Sequence, residues 1–200
     1  MTAKIALTGG IASGKTAVAR MLEDKGAVLI DADVLSREAV APGTRGLAAI
    51  VDRFERIVLR PDGSLDRAKL GQIVFGDEHA RADLNAIVHP AVRVRAAELQ
   101  LQADPDAVVI QVIPLLVETG QAEDFDLVIV VDCDEQVQIQ RLVQRDGFTR
   151  SEARSRLRAQ ASRAQRNAVA DVIVDNSGTL DELRPRVDEL WRRLTTPRPA

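Results

Sequence analysis

The stretch GGIASGKT, residues 9–16, follows the apolar residues 5–7 and precedes a helix-like stretch at residues 17–23. Its spacing of one glycine, four residues and then Gly-Lys-Thr matches the P-loop, in which backbone N–H groups surround a phosphate at the start of a helix. In a P-loop, Lys15 would reach the β- and γ-phosphates and the hydroxyl of Thr16 would contact Mg²⁺. A glycine-rich turn with a chance lysine is the alternative, and it leaves the flanking strand and helix unexplained. The stretch therefore predicts a nucleoside triphosphate site at the end of a strand.

Apolar runs rich in β-branched residues predict five strands along the chain. The runs are residues 4–8, 27–31, 108–113, 127–132 and 172–175. They are almost continuous in apolar character instead of alternating, which is typical of parallel strands covered by helices on both faces. Helical segments separate them. The sequence therefore predicts an α/β fold with a doubly wound, five-stranded parallel sheet, whose ligands bind at the carboxyl ends of the strands.

The composition disfavours several classes of function. A formal net charge of −3 argues against a general nucleic-acid binder, and a single cysteine, Cys133, excludes an intramolecular disulfide. The longest apolar run, residues 107–117, contains Gln111 and Pro114 and is too short to span a bilayer. A predicted strand begins almost at the first residue, so no signal peptide is expected. The composition therefore predicts a soluble cytoplasmic protein without a nucleic-acid or membrane partner.

The spacing between the second and third strands is far longer than one crossover needs. Within it, PDGSLDR at residues 61–67 predicts a turn and a helix start, and residues 66–75 and 80–101 are predicted helices. We expect a helical insertion over residues 61–104 that covers a second substrate.

A basic segment follows the fourth strand. Asp134 is a predicted N-cap for a helix that carries Arg141 and Arg145 opposite its apolar face, and TRSE at residues 149–152 fits a capping box. Residues 150–166 then hold six arginines and one acid. In a triphosphate-binding chain this pattern favours a lid that brings arginines over the transferring phosphate and excludes water. A solvated helix face is the main alternative, and the lack of interleaved aromatic residues disfavours a nucleic-acid patch.

These segments predict one domain over residues 1–200 with four functional parts. The parts are a nucleotide-binding core at residues 1–60, 105–145 and 167–195, the insertion at 61–104, a lid at 146–166 and a disordered tail at 196–200.

The second predicted strand ends in IDADVLSR, residues 30–37. Asp31 and Asp33 are two residues apart, so an extended backbone would point both carboxylates to the space above the sheet where the P-loop opens. One of them could accept a proton from an acceptor hydroxyl. The alternative for Asp33 is an N-cap for a helix over residues 34–40, and one residue can do both.

The third strand and the residues after it, 108–118, carry no acid where many P-loop proteins have a metal-bridging aspartate. The second Mg²⁺ contact is therefore left to water, Asp33 or Glu118. The chain also lacks an Asn-Lys-x-Asp motif for guanine, which disfavours a GTPase switch.

Seven segments in order along the chain resemble the dephospho-coenzyme A kinase family. They are LTGGIASGKT (7–16), VLIDADVLSREAVAPGT (28–44), DGSLDRAKLGQIVF (62–75), LNAIVHPAV (84–92), VIPLLVE (112–118), QIQRLVQRDGFTRSEARSRLRAQ (138–160) and ADVIVDNSG (170–178). The P-loop alone is generic, but this series is specific. The resemblance implies a P-loop nucleoside/nucleotide kinase fold and Mg²⁺-dependent transfer of the γ-phosphoryl group of ATP to the ribose 3′-hydroxyl of dephospho-coenzyme A, with no obligate protein partner evident.

The resemblance also implies roles for individual residues. Asp33, Lys15 and Arg141 would be catalytic, Asp33 as the base and the other two at the transferring phosphoryl group. The ATP site would comprise Ile11, Ala12, Ser13, Gly14, Lys15, Thr16, Arg145, Asn176 and Gly178, with Thr16 at the metal. The acceptor site would comprise Thr8, Asp33, His89, Leu115 and Arg141.

Several of these residues have a structural alternative. His89, before Pro90, could be a packed helix-start residue, and Leu115 could belong to the core. Asn176 and Gly178 also fit an ordinary turn. Arg145 could pair with Asp146 or Glu152 instead of phosphate.

Three positions depart from the family's usual residues. Ala12 replaces a common glycine, which restricts the loop's backbone slightly. Thr16 replaces a frequent serine and keeps the hydroxyl. Glu55 stands where a glycine usually follows phenylalanine, so the local turn is in doubt.

Two other functions remain open from the sequence. A nucleoside monophosphate or other small-molecule kinase on the same scaffold would use a different acceptor. A non-catalytic ATP-binding regulator would bind ATP with Asp33 dispensable.

Overall fold

A computed structural model describes residues 3–196 of the chain. Its five strands are β1 (Ile5–Gly9), β2 (Val28–Asp31), β3 (Val109–Val112), β4 (Leu127–Asp132) and β5 (Val172–Asp175). They form one parallel sheet in the order β2-β3-β1-β4-β5. The predicted fold class and all five predicted strands are confirmed, with strand ends that differ from the prediction by one residue at most.

The described helices lie between the strands and after the last one. They are α1 (Lys15–Glu23), α2 (Ala32–Glu38), α3 (Arg45–Phe54), α4 (Arg67–Phe75), α5 (Glu78–Gln102), α6 (Glu135–Asp146), α7 (Arg150–Arg158), α8 (Arg163–Ala168) and α9 (Leu180–Thr195). Short 3-10 helices occupy Arg56–Val58 and Ala122–Asp124. The helices predicted at residues 66–75 and 80–101 are present as α4 and α5.

β1 is the central strand, and every one of its residues is buried. It pairs in parallel with β3 and β4, with Ile5 opposite both Ile110 and Leu127. Helices α1 and α9 pack on the sheet through side chains such as Leu22 and Leu183, which complete the core. A strand enclosed on both faces and both edges is a rigid support. The P-loop follows directly from its carboxyl end.

Helix α2 begins earlier than the sequence predicts. Asp31, with an extended backbone, is the N-cap, and its carboxylate accepts hydrogen bonds from the N–H groups of Asp33 at 2.8 Å and Val34 at 3.3 Å. The alternative role of Asp33, as the N-cap of this helix, is therefore wrong. The expected alignment of Asp31 with Asp33 on an extended backbone is also wrong, because Asp33 already lies in the first helical turn.

The caps predicted after the fourth strand are confirmed. The carboxylate of Asp134 accepts a hydrogen bond from the N–H of Gln136 at the start of α6. Thr149 and Glu152 form the expected capping box of α7, each side chain accepting from the backbone N–H of the other. Such short-range signals decide where both helices begin.

The chain divides into two compact units. The first unit contains residues 3–30 and 103–196, and the second unit is Asp31–Gln102. The second unit has its own apolar core, centred on side chains such as Ile50, Phe54 and Val58. It begins at Asp31 rather than at the predicted residue 61, because α2 and α3 pack on α5.

Among the described helices, none combines the length and the apolar character needed to cross a membrane. Residues 197–200 of the predicted tail lie outside the part of the chain that the structure describes.

Candidate active site

The carbonyl groups of the P-loop, residues 9–16, are tied to groups around the loop. The carbonyl of Gly10 accepts from the N–H of Ser13 at 3.1 Å, and that of Ile11 accepts from Nε2 of Gln138 at 2.6 Å. The carbonyl of Ser13 accepts from Nδ2 of Asn176 at 2.7 Å. Because these three carbonyls are held in this way, the orientation of their peptide groups is fixed.

The start of α1 offers free backbone donors. Its N-cap is Gly14, which has no side chain to accept from the first N–H groups of the helix. The N–H groups of Lys15 and Thr16 precede the first hydrogen bond of the helix, which Ala17 donates to the carbonyl of Gly14 at 2.9 Å. Together with the helix dipole, these two groups favour an anion. Lys15 and the exposed side chain of Thr16 lie in this first turn. The arrangement has the backbone donors, the cation and the hydroxyl that a phosphate site requires.

Gly14 is required here for two reasons. Its φ of 91° is in the left-handed region, where a side chain is unfavourable. A Cβ atom at this position would also overlap Nδ2 of Asn176. Asn176 is buried, and its side-chain bond to Ser13 depends on this close approach. The predicted loop residue and the predicted residue after β5 are therefore in direct contact.

Arg141 connects the P-loop with the segment after β5. Its guanidinium donates to the carbonyl of Asn176 at 2.9 Å and more weakly to those of Ala12 at 3.3 Å and Gly178 at 3.5 Å. Within residues 3–196 no carboxylate forms an ion pair with it. Backbone carbonyls orient the guanidinium without neutralising its charge, so it can still stabilise a phosphate.

A cavity of about 430 Å³ lies beside this network. Five predicted ATP-site residues line it, together with the predicted catalytic residue Arg141: Ala12, Gly14, Arg145, Asn176 and Gly178. The other lining residues, Ala17, Gln144 and Leu180, were not predicted. They lie on α1, α6 and α9, and sequence spacing alone gives no signal that these helices share one cavity.

Arg145 lies at the edge of the cavity and pairs with its neighbour. Its Nε and Nη2 donate to the two carboxylate oxygens of Asp146 at 2.9 and 2.8 Å. The hydrogen bond from Arg145 holds the pKa of Asp146 below its ordinary value. The sequence left open whether Arg145 pairs with Asp146 or with Glu152, and the structure shows the pair with Asp146. A contact between Arg145 and ATP stays a prediction.

Other predicted residues lie outside the lining of this cavity. Thr8 is buried in β1, and Leu115 is partly exposed after β3. Asp33 and His89 belong to the second unit. His89 lies in the middle of α5 rather than at a helix start, and burial, with Arg93 nearby, lowers its pKa. Near neutral pH it is therefore an uncharged imidazole.

Two glutamines that were not predicted form hydrogen bonds with the backbone of the P-loop. Gln138 on α6 is 1% exposed, and Gln160, after α7, accepts from the N–H of Ile11 through Oε1 at 2.8 Å. The side chain of Arg166 lies against Gly10. Gln138 had a detectable signal, since it shares a helix face with Leu142 four residues later and is a polar residue at a core position. Gln160 had none.

The residues present fit a metal that arrives with a nucleotide. Among the described residues, no cluster of three His, Cys, Asp or Glu side chains could hold an ion without other ligands. Mg²⁺ commonly keeps several waters and takes one or two protein ligands together with substrate phosphates. The exposed hydroxyl of Thr16 in the first turn of α1 is suited to that role. Glu118, one of the candidates for the second Mg²⁺ contact, already uses one carboxylate oxygen to accept a hydrogen bond from the N–H of Ala161 at 2.9 Å.

Comparisons with known proteins agree with this geometry. The family model described as Dephospho-CoA kinase matches residues 3–182. A dephospho-CoA kinase of Streptomyces avermitilis is 54% identical over 191 residues, covering 96% of this chain and 93% of that relative. One of Thermobifida fusca is 53% identical and covers 96% of each. A solved dephospho-CoA kinase from Campylobacter jejuni aligns with a TM-score of 0.75 at 25% identity, over 98% of each chain.

Proposed function

The chain belongs to the dephospho-CoA kinase family, and from that premise we propose how its own residues transfer a phosphoryl group. The family's reaction is the ATP-dependent phosphorylation of dephospho-CoA in coenzyme A biosynthesis, which confirms the predicted activity. The finer proposal is that the γ-phosphoryl group of ATP goes to the 3′-hydroxyl of the acceptor's ribose, giving coenzyme A and ADP.

One observation carries the proposal for the ATP side. The carbonyls of Ile11 and Ser13 are held by surrounding groups, while the N–H groups of Lys15 and Thr16 precede the first hydrogen bond of α1. Because the carbonyls are occupied and the N–H groups remain available, the electrostatic potential around Lys15 is positive, and we call this region the positive pole of the P-loop. The phosphates of ATP are the anions that fit it, and the adenosine part would occupy the cavity lined by Asn176, Gly178 and Leu180.

Two cations would stabilise the transferring group. Lys15 follows Gly14 directly and would contact the β- and γ-phosphates. Arg141, whose guanidinium is oriented by backbone carbonyls, would contact the γ-phosphoryl group as its charge spreads in the transition state. Since the carbonyls leave the charge of Arg141 unneutralised, its interaction with a phosphate is strong in a water-excluded site.

Asp33 is the proposed general base. It follows the carboxyl end of β2, the edge at which ligands of parallel sheets bind, and it lies in the first turn of α2. Since Asp31 supplies the cap, the carboxylate of Asp33 is not needed for capping. It would take the proton of the 3′-hydroxyl as that oxygen bonds to the γ-phosphorus. The bond from the γ-phosphorus to the β–γ bridging oxygen breaks, and ADP leaves with its electron pair.

The hydroxyl of Thr16 would hold Mg²⁺, which neutralises phosphate charge when bound. We propose that Thr8, His89 and Leu115 contribute to the acceptor site. His89, being uncharged near neutral pH, would act there through hydrogen bonding or packing and not through charge.

The proposal is tested by ADP release in a coupled assay with ATP and Mg²⁺. The acceptors to compare are dephospho-CoA, AMP, adenosine and none. We expect rapid release with dephospho-CoA only, with coenzyme A identified by mass and the new phosphate located on the 3′-oxygen by NMR. Release with AMP alone would indicate a nucleotide kinase and would refute the proposal, and so would a product phosphorylated at another oxygen.

A further inference from the structure

The turn between α7 and α8, residues 159–162, is attached to the P-loop. Gln160 in this turn accepts through Oε1 from the N–H of Ile11 at 2.8 Å, across a sequence separation of 149 residues. On the other side, Nε2 of Gln138 donates to the carbonyl of Ile11 at 2.6 Å. Two glutamine side chains from different elements thus hold both backbone groups of the third P-loop residue.

The turn itself is held on both sides of its central peptide. The N–H of Ala161 donates to a carboxylate oxygen of Glu118 at 2.9 Å, and the carbonyl of Ala161 accepts from Nη1 of Arg166. Arg166 is 8% exposed, and its other guanidinium nitrogen lies against Gly10. The position of Gln160 is therefore determined by contacts with the region after β3 and with the P-loop, and not by the lid helices alone.

An ion pair fixes the helix after the turn. Nε and Nη2 of Arg163, at the start of α8, donate to Asp132 at the end of β4, at 2.9 and 2.5 Å. Asp132 is buried, and its hydrogen bond raises the pKa of Arg163. In contrast, Arg156 on α7 lies over the ring of Phe148, with the guanidinium 4.1 Å from the ring centre, and its charge acts on Asp146 and Glu152 nearby. The part of the predicted lid after residue 159 is therefore anchored to the sheet.

From these contacts we infer that Gln160 is a positioning residue for the P-loop: its amide oxygen holds the Ile11 peptide in the orientation that ATP binding requires. The next residue, Ala12, has a φ of 56°, so the loop backbone needs outside support at this point. Loss of the acceptor leaves the N–H of Ile11 unpaired and lets its peptide turn. This inference rests on the proposed role of the P-loop as the ATP phosphate site.

The test compares three variants of the full chain with the wild type. Gln160→Met keeps the length of the side chain and removes the amide oxygen, whereas Gln160→Glu keeps an oxygen acceptor at the same reach. Gln140→Met changes an exposed glutamine on α6 and serves as the matched control. Amide hydrogen exchange at Ile11 is measured by NMR without nucleotide, and the Kd for ATP by calorimetry.

We expect Gln160→Met to accelerate exchange at Ile11 and to weaken ATP binding about tenfold, the scale of one lost hydrogen bond that leaves a donor unpaired. The thermal midpoint without nucleotide should stay close to that of the wild type. Gln160→Glu should restore slow exchange, and Gln140→Met should change neither quantity.

Unchanged exchange at Ile11 in Gln160→Met would overturn the inference, and so would faster exchange with an unchanged Kd for ATP. Exchange in Gln160→Glu as fast as in Gln160→Met would also overturn it, because the oxygen would then not be the protecting group. If the wild type fails to bind ATP, the proposed function fails instead. The exchange measurement separates the two cases because it needs no nucleotide.

Discussion

Ala12 in the P-loop and Glu55 after α3 both have a positive φ without being glycine, with values of 56° and 64°. In the first unit, Ala12 is flanked by Ile11, whose backbone is held by two glutamines, and its own carbonyl accepts from Arg141 at 3.3 Å. In the second unit, Glu55 is exposed and its side chain caps nothing. It connects α3 to a short 3-10 helix, between the buried residues Phe54 and Val58.

The difference separates two origins of backbone strain. At Ala12 the side chains that support the strained loop come from distant elements: Gln138 and Arg141 on α6 and Gln160 after α7. At Glu55 apolar burial on either side forces a conformation, with φ 64° and ψ 173°, that is favourable for glycine alone. Changes in the P-loop should therefore alter nucleotide binding, whereas changes near Glu55 should alter stability only.

Lys15→Ala should have the largest effect. It removes the cation at the positive pole of the P-loop, so we expect kcat/KM to fall by about 1,000-fold, with weaker ATP binding. The measurement is steady-state kinetics together with calorimetry. Lys25→Ala, which removes a lysine after α1 that pairs with Asp188, is the control and should leave both unchanged. If Lys15→Ala retained wild-type ATP affinity and turnover, the P-loop would not be the phosphate site.

Asp33→Asn should have the next largest effect, and it tests the second unit. Loss of the base should lower kcat by about 100-fold or more while the Kd for ATP stays the same. Asp31→Asn is the matched control, because asparagine also caps helices well and α2 should persist. Rate measurements on the pair distinguish catalysis from capping. Equal losses in both variants would mean that the second unit contributes helix structure here and not a base.

Arg141→Ala should lower kcat by about 10- to 100-fold, because it removes charge stabilisation of the transferring group. It also removes the donor to the carbonyl of Asn176, so a moderate rise in KM for ATP should accompany the loss. Pre-steady-state rates separate the two effects. A change confined to ATP affinity would make Arg141 a support of the P-loop, like Gln138, and not a transition-state residue.

Glu55→Gly should have the smallest effect on activity and a clear effect on stability. Relief of the strain outweighs the added freedom of glycine in the unfolded chain, so the free energy of unfolding should rise by about 1 kcal/mol. Urea denaturation measures it. Asp52→Gly, within α3, should instead lower it by about 1 kcal/mol. A destabilised Glu55→Gly would mean that the side chain, and not the burial around it, supports this turn.

The sequence predicted the parts of the fold that depend on neighbouring residues. The strands, the P-loop and the caps at Asp134 and Thr149 are patterns within a few residues, and they were found where expected. The start of α2 was placed wrongly, since two aspartates compete to cap it and only the geometry at the end of β2 decides for Asp31.

The support of the P-loop could not be predicted in the same way. Gln138 and Gln160 reach Ile11 across separations of 127 and 149 residues. The place of Gln138 on the apolar face of α6 indicates burial but not its partner, and Gln160 carries no local signal of its contact. In contrast, the sequence already placed the turn at Glu55 in doubt, because a glycine is usual at this position in the family. The structure shows that Glu55 has a positive φ there.

The position of β1 at the centre of the sheet has a consequence for the order of folding. Its partners β3 and β4 begin more than a hundred residues later in the chain, at Val109 and Leu127, whereas the second unit is one continuous segment with its own core. Contacts between distant residues form late because closing the intervening loop is entropically costly. During refolding, amides of α3 should therefore become protected from exchange before those of β1, which pulse labelling would detect. On the ribosome, β1 would be the first strand to be synthesised, but its pairing with β3 and β4 would form last.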